Sequence, residues 1–247
     1  MATFEELKES WKDKEVFKEQ LQLNLVELGM SEFHRRLPIR PSLDRDPSLS
    51  EQEKQQTVLE YYWDLYPSHW RDMCTVLNQF RPESIHELGC GVGAASQVIK
   101  RHFPSIEYSG SDYSEDAIEL AKSQWGTPEK FSVVDIRDMT TDFVQQYDCL
   151  LEGAVFDVMP NGDELLEFVL SLKPHNLYVQ RMKFTDGPSY YEEYEAYNTI
   201  PTCQYYHNIE NVIKMGKDAG YRLFPVKMHH TLKHAAKHPT GIYFKGK

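Results

Sequence analysis

The sequence contains few cysteines and no long apolar run. Its four cysteines (Cys74, Cys90, Cys149 and Cys203) are scattered through 247 residues without a Cys-x-x-Cys pair, and we expect Cys90 and Cys149 to be reduced side chains of the interior. No stretch approaches the roughly 18 apolar residues that a membrane span requires, and the charged N-terminus is not of the signal-peptide type. We therefore expect a cytoplasmic protein without a membrane partner.

Positive charge is also scarce. Lys and Arg number 27 against 38 Asp and Glu, which gives a formal net charge of −11 and argues against a nucleic-acid partner. The exception is the segment Arg222–Lys247, which holds six cations and no acid. This basic segment is either a solvated loop or a surface that faces an anion. His230, His234 and His238 recur within it at every fourth position, but neither Cys nor a carboxylate accompanies them, so we expect no metal site.

Glycine is concentrated at one place, and its pattern there indicates a ligand. Residues 84–93 read SIHELGCGVG and are followed by AASQVIK, which predicts a short strand, a turn and the start of a helix. Gly89, Gly91 and Gly93 permit a tight turn and let a ligand lie against the backbone. The helix behind them presents free N–H groups. The pattern predicts a small-molecule cofactor site.

Two kinds of nucleotide cofactor compete for this turn. The stretch Gly89–Ala94 satisfies the relaxed dinucleotide fingerprint G-x-G-x-x-A, which alone is weak evidence. Glu87 argues against a pyrophosphate, which its carboxylate would repel, but it can accept hydrogen bonds from an amino group. Acids also end the next two strand-like runs: Asp112 closes IEYSGSD and Asp135 closes FSVVD.

This order of motifs, E-x-G-x-G-x-G and then two acids at strand ends, resembles the class I S-adenosylmethionine-dependent methyltransferases over about residues 82–184. The resemblance implies that S-adenosylmethionine is the cofactor and S-adenosylhomocysteine its demethylated product. It also implies that the three glycines pass beneath the methionine part of the cofactor, with Glu87 near its amino group.

The same resemblance assigns the remaining cofactor contacts. Asp112 would bind the ribose hydroxyls and Tyr113 would lie against the adenine. Asp135 and the backbone of Ile136 would meet the adenine amino group, and Glu152 would lie near the methyl end. The structural alternatives are that Asp112 caps the following helix and that Asp135 simply closes a strand.

The resemblance and the continuing alternation of strands and helices imply an α/β fold: a mostly parallel, seven-stranded Rossmann-like sheet with helices on both faces. We predict that residues 1–80 form a helical extension or lid and that residues 81–247 form the cofactor-binding methyltransferase domain. Residues 185–207 are rich in Tyr and Glu, and we expect this aromatic insert to form a pocket wall or lid.

The catalytic residues depend on the acceptor, because a hydroxyl benefits from a base whereas a neutral amine needs none. We predict His207 as the base, since it follows the aromatic insert, then Asp157 beyond the fourth strand, and His175 third. We favour O-methylation of a small polar, anionic acceptor, a sugar-like compound or another metabolite, by a monomer or homodimer. The alternatives are an N-methyltransferase of an amino-acid-like metabolite, a nicotinamide-dependent oxidoreductase, and a non-catalytic binding module on the same scaffold.

Overall fold

A seven-stranded sheet organises the part of the chain that the computed structural model describes, which is residues 4–12, 14–35, 48, 50, 68–196, 200–226 and 238–246. The strand order is β3-β2-β1-β4-β5-β10-β9. The first five of these run parallel, while β10 is antiparallel to both of its neighbours. The strands are β1 Ser84–Leu88, β2 Glu107–Asp112, β3 Phe131–Val133, β4 Cys149–Gly153, β5 Asn176–Gln180, β9 Arg222–Val226 and β10 Gly241–Lys245.

Helices cover both faces of this sheet. Those of the described residues are α1 Phe4–Ser10, α2 Lys14–Arg35, α3 Ser68–Phe80, α4 Ala94–His102, α5 Glu115–Trp125, α6 Thr141–Val144, α7 Gly162–Ser171 and α8 Ile209–Asp218. Side-chain alternation along the strands divides the core in two: Leu177 and Val179 of β5 pack into one hydrophobic cluster, and Tyr178 between them packs into the other. The predicted mostly parallel sheet with helices on both faces is therefore confirmed.

Local sequence explains where several helices begin. Ser114 precedes α5, and its hydroxyl accepts a hydrogen bond from the Ala117 N–H, as an N-cap residue does. Asn208 caps α8 in the same way by accepting from the Asn211 N–H at 2.8 Å. In the part of the chain described, no helix is both long and apolar enough to cross a membrane.

The aromatic insert forms a second, smaller sheet. Its strands are β6 Lys183–Thr185, β7 Tyr190–Ala196 and β8 Ile200–Asn208 in the order β6-β8-β7. Tyr190 and Tyr206 stand opposite each other on β7 and β8, and their rings stack with centroids 4.7 Å apart. The residues predicted to form a wall or lid thus lie mostly in a small three-stranded sheet.

The parallel arrangement gathers the loops that matter for binding at one edge. The carboxyl ends of β1 to β5 share that edge, where ligands bind in open α/β sheets. Because β10 is antiparallel, its first residue, Gly241, lies there too, paired with Gln180 of β5 and Val226 of β9. Between these two strands, residues 227–237 of the basic segment, which include His230 and His234, lie outside the described residues.

Candidate active site

The glycine turn after β1 has the backbone that its sequence predicts. Gly89, Gly91 and Gly93 all have positive φ angles, of 61°, 51° and 73°, a region that residues with a Cβ rarely adopt. Space is also restricted: a Cβ at Gly89 would overlap the Val155 side chain, and a Cβ at Gly91 would lie 2.8 Å from Gln20 Oε1. The turn is therefore compact because neighbouring side chains pack directly against its backbone.

Asp112, at the end of β2, holds this turn in place. One of its carboxylate oxygens accepts a hydrogen bond from the Gly91 N–H at 2.9 Å, and the other accepts one from the Ser114 N–H at 2.9 Å. Burial raises the pKa of Asp112 to about 6, although these backbone hydrogen bonds lower it. Asp112 is also one of the residues that line the cavity described below, so it both organises the turn and borders the space open to a ligand.

Asp135, after β3, is contacted by cations from two directions. Lys8 of α1 forms an ion pair with Asp135 Oδ2, and Arg137 approaches the same oxygen at 3.3 Å. Burial would raise the pKa of Asp135, but these hydrogen bonds outweigh it and lower the pKa below its usual value. Tyr113 donates its hydroxyl hydrogen bond to the Lys8 carbonyl at 2.8 Å. Helix α1 thus closes over the end of the site at β2 and β3.

A cavity of about 410 Å³ runs along the carboxyl edge and joins these features. Of the residues predicted from the sequence to bind the cofactor, it is lined by Gly89, Gly91, Asp112, Tyr113, Asp135 and Ile136. Lys8 of α1, Trp11 directly after it, and Phe17 and Gln20 of α2 contribute to its wall. The last residue of β4 and the loop after it contribute Gly153, Ala154, Val155, Val158 and Met159. Arg181 directly follows β5, and Tyr194 lies on β7.

Glu87 lies inside the protein rather than on the wall of this cavity. Its side chain is buried and accepts a hydrogen bond from the Tyr108 hydroxyl. Burial raises the pKa of Glu87 to about 8; the Tyr108 hydrogen bond lowers it and the Asp112 charge raises it. Its predicted contact with an amino group of the cofactor stays a prediction.

Glu152, the fourth residue of β4, shapes the loop that follows it. Its Oε1 atom accepts hydrogen bonds from the N–H groups of Val155 and Phe156, and its other oxygen is buried without a hydrogen-bond partner among the described residues. Burial raises the pKa of Glu152 to about 8. These hydrogen bonds hold the chain in a turn in which Ala154 and Val155 line the cavity. The predicted contact of Glu152 with the methyl end of the cofactor stays a prediction.

The two predicted bases stand together behind the cavity wall. The His207 ring is fully buried, and its Nδ1 atom lies 2.7 Å from Asp163 Oδ1. Asp157 is also buried; its carbonyl accepts the Tyr205 N–H at 2.7 Å and its Oδ2 atom lies 3.4 Å from Gln204 Nε2. Through these contacts, both residues connect β8 to the elements that follow β4. His175 precedes β5 and therefore lies at the opposite edge of the sheet.

The structure adds residues to the site that sequence reasoning missed. Lys8 and Asp135 are 127 positions apart in the sequence, and no local pattern predicts that they form a pair. Arg181 immediately follows β5, so the rule that ligands bind at the carboxyl ends of parallel strands was a usable signal for it. Tyr194 belongs to the aromatic insert, whose predicted role as a pocket wall agrees with the position of this residue.

Comparisons with known proteins agree with this geometry. Residues 86–175 match a family model described as a methyltransferase domain. Malonyl-[acyl-carrier protein] O-methyltransferase 2 of Ilyobacter polytropus is 30% identical over 155 residues, which cover 59% of this chain and 58% of that protein. Malonyl-[acyl-carrier protein] O-methyltransferase of Priestia megaterium is 34% identical over 82 residues, 32% of this chain and 29% of that protein. The matches thus span less than two thirds of either relative.

Solved structures establish the fold in the same way. An S-adenosylmethionine-dependent methyltransferase from Clostridium acetobutylicum aligns with a TM-score of 0.50 at 10% identity, covering 73% of this chain and 92% of that chain. At this identity the likeness concerns the fold alone. Together with the match of residues 86–175 to a methyltransferase domain, which spans the glycine turn and the four strands from β1 to β4, it confirms the resemblance predicted from the motifs: the chain is similar to the class I S-adenosylmethionine-dependent methyltransferases.

Proposed function

We propose that this protein is an S-adenosylmethionine-dependent O-methyltransferase that acts on a small anionic acceptor. The observation that carries the proposal is that Gly89, Gly91, Asp112 and Asp135 line one cavity. The match to a methyltransferase domain supports the cofactor and the reaction class, and the acceptor is inferred from the site.

The residues fit this cofactor. The positive φ angles of the glycines and the crowding at the Cβ positions of Gly89 and Gly91 leave a backbone cradle that a side chain would fill. Asp112 lines the cavity, and a carboxylate there can accept hydrogen bonds from ribose hydroxyls. When bound, S-adenosylmethionine supplies an electrophilic methyl group carried by a sulfonium. The chain's own contribution is to hold both partners in contact, from which much of the acceleration of such a displacement comes.

Oxygen is the proposed methyl-accepting atom. Both curated relatives described above are named as O-methyltransferases, which supports oxygen over nitrogen. A hydroxyl acceptor would need a base, and Glu195 of β7 lines the cavity, whereas His207 and Asp157 stand behind its wall. An acceptor that is already ionised needs no base at all. We further propose, from composition, that the enzyme works in the cytoplasm as a monomer or homodimer.

Calorimetric titration of the full chain tests the cofactor. We expect S-adenosylmethionine and S-adenosylhomocysteine to bind and NAD to give no response. Gly89→Ala should abolish or strongly weaken binding, because a Cβ there would overlap Val155 Cγ2, on a stiff β-branched side chain, in a turn with positive φ. Gly126→Ala is the matched control: its φ is 65°, but a Cβ there has no neighbour within 4 Å. Binding of NAD without S-adenosylmethionine would instead support the oxidoreductase alternative.

A further inference from the structure

Arg181 is a cation at the β5 end of the cavity. It directly follows the last residue of β5 and lines the cavity wall. Strand β5 is two strands from β1, which places Arg181 roughly 10 Å from the glycine turn at the usual strand spacing. The other lining cation, Lys8, is already paired with Asp135, whereas within the described residues Arg181 makes no ion pair or hydrogen bond.

The backbone at Arg181 is held in an unfavourable conformation. Four non-glycine residues of the described chain have positive φ, and two of these, Arg81 and Lys173, directly follow helices α3 and α7 or their caps, where the left-handed conformation is common. The other two, Ala154 at 91° and Arg181 at 63°, follow strands β4 and β5 and both line the cavity. Backbone strain of this kind collects at functional sites.

The wall beside Arg181 is largely apolar. Val155, Val158, Met159 and Leu165 line the same cavity, and Tyr194, half of it exposed, faces it from β7. This combination of one cation and an aliphatic surface suits a ligand with a short hydrocarbon body and one negative charge.

The electrostatic surroundings leave the charge of Arg181 available. Burial raises the pKa of the Asp157 carboxyl, and the charge of Arg181 lowers it by a smaller amount. The Asp157 side chain instead lies near the Gln204 amide, with Oδ2 3.4 Å from Nε2. Burial, followed by the charge of Arg181, lowers the pKa of His69 to about 3, so His69 is uncharged at neutral pH. Neither neighbour therefore forms a competing ion pair with the guanidinium.

We propose that Arg181 binds a carboxylate of the acceptor, and that the acceptor is a small aliphatic carboxylate. A guanidinium holds a carboxylate through two parallel hydrogen bonds, and the adjacent aliphatic side chains pack against its hydrocarbon part. The inference rests on the proposed function, which assigns the glycine end of the cavity to the cofactor and the β5 end to the acceptor. A neutral sugar would make no use of this charge.

Residue-resolved chemical modification of the full chain tests this inference directly. Phenylglyoxal, which modifies exposed guanidinium groups, is applied to the protein saturated with S-adenosylhomocysteine, and Arg181 is followed by peptide mass spectrometry. Monoethyl succinate should protect Arg181, and the neutral diethyl succinate should not. Arg137, which is ion-paired with Asp135 and Glu5, serves as the internal reference. Equal protection by both esters, or by neither, would overturn the proposal.

Calorimetry with the same ester supplies the second readout. Arg181→Met should weaken the binding of monoethyl succinate by roughly 10- to 100-fold, the scale of losing hydrogen bonds to a charged group, and leave S-adenosylhomocysteine affinity unchanged. Lys183→Met is the matched control, because Lys183 is an exposed cation two positions away whose side chain does not line the cavity. An unchanged ester affinity in Arg181→Met would refute the role of Arg181, whereas failure of the parent to bind S-adenosylhomocysteine would refute the proposed function instead.

Discussion

At the scale of single residues, the two roles predicted for Asp112 as alternatives are compatible with each other. Asp112 was expected either to bind ribose hydroxyls or to cap the following turn. In the structure its carboxylate accepts the N–H groups of Gly91 and Ser114 and also reaches the cavity. Each oxygen has a second lone pair, so holding the turn and accepting from a ligand are compatible.

Replacing Asp112 by Asn should therefore affect both stability and binding. The amide nitrogen cannot accept a hydrogen bond, so one of the two buried N–H groups loses its partner, at a cost of about 1–3 kcal/mol in the free energy of unfolding. Cofactor affinity should fall by a further amount of about 1.5–3 kcal/mol. Thermal denaturation and calorimetric titration measure the two effects separately.

Asp148→Asn is the control for this prediction. Asp148 Oδ2 accepts the Glu83 N–H at 2.8 Å before β1, which is the same kind of bond at the opposite edge of the sheet. That variant should lose stability only. If Asp112→Asn bound S-adenosylmethionine as tightly as the parent, the ribose assignment would be wrong.

At the scale of elements, the contact between β8 and α7 determines the role of His207. The ring contacts Asp163 of α7 through Nδ1 and lies edge-on to Tyr205 with centroids 4.7 Å apart. Asp163 also accepts a hydrogen bond from Ser189 at 2.6 Å. Hydrogen bonds to His207 and Ser189 lower the pKa of Asp163, against the effect of burial, which raises it. This network fixes the aromatic insert to the main sheet.

We accordingly expect His207→Ala to act mainly on stability. The loss of a fully buried ring and its hydrogen bond should cost about 2–4 kcal/mol, while kcat, measured well below the melting temperature, should change less than tenfold. His207→Asn, whose amide reaches the position of Nδ1, should recover part of the stability. If His207 is instead the base predicted from the sequence, kcat should fall by roughly 10²–10⁴-fold with stability and cofactor affinity retained.

At the scale of the whole molecule, buried acids give the fold an unusual dependence on pH. Burial raises the pKa values of Glu87 and Glu152 to about 8 and that of Asp112 to about 6. Between their unfolded values near 4 and these folded values, the native state binds more protons than the unfolded state, so stability falls as pH rises. Burial lowers the pKa values of His69 and His86 to about 3 and 4. These two groups make stability rise with pH, mainly below the pKa near 6.5 that they have in the unfolded state.

The melting temperature should consequently decrease from pH 6.5 to pH 8.5. Calorimetric scans across this range measure it, and Glu152→Gln should show a shallower decrease because one titrating group has been removed. The slope should differ by up to about 1.4 kcal/mol per pH unit near neutrality, the value for one proton. A melting temperature that stayed constant or rose over this interval would contradict the buried, protonated state of these acids.

More of the fold than of the candidate site could be predicted from the sequence. The glycine turn and the acids at strand ends are local patterns, and they led to the correct sheet and to the methyltransferase resemblance. Arg181 could have been suspected from its place after β5, but Lys8 could not be recognised in this way, because its importance comes from the distant element that lies beside it. The aromatic insert was predicted as a pocket wall or lid, and its strands were not predicted. The pairing of β7 with β8 joins two segments of the insert, and polar, aromatic strands at an edge lack the clear alternation of a half-buried strand.

Helix α1 connects the two ends of the cavity. Lys8 and its carbonyl contact Asp135 and Tyr113 beside β2 and β3, while Trp11 donates to Thr202 at 3.3 Å and Ser10 to the Pro201 carbonyl at 3.0 Å on β8. Strand β8 in turn pairs with β7, which carries Tyr194. A displacement of α1 would therefore disturb the contacts at both ends of the cavity at once. Any ligand that orders α1 through Asp135 and Tyr113 should consequently also order the β7–β8 wall, although that ligand does not contact this wall itself.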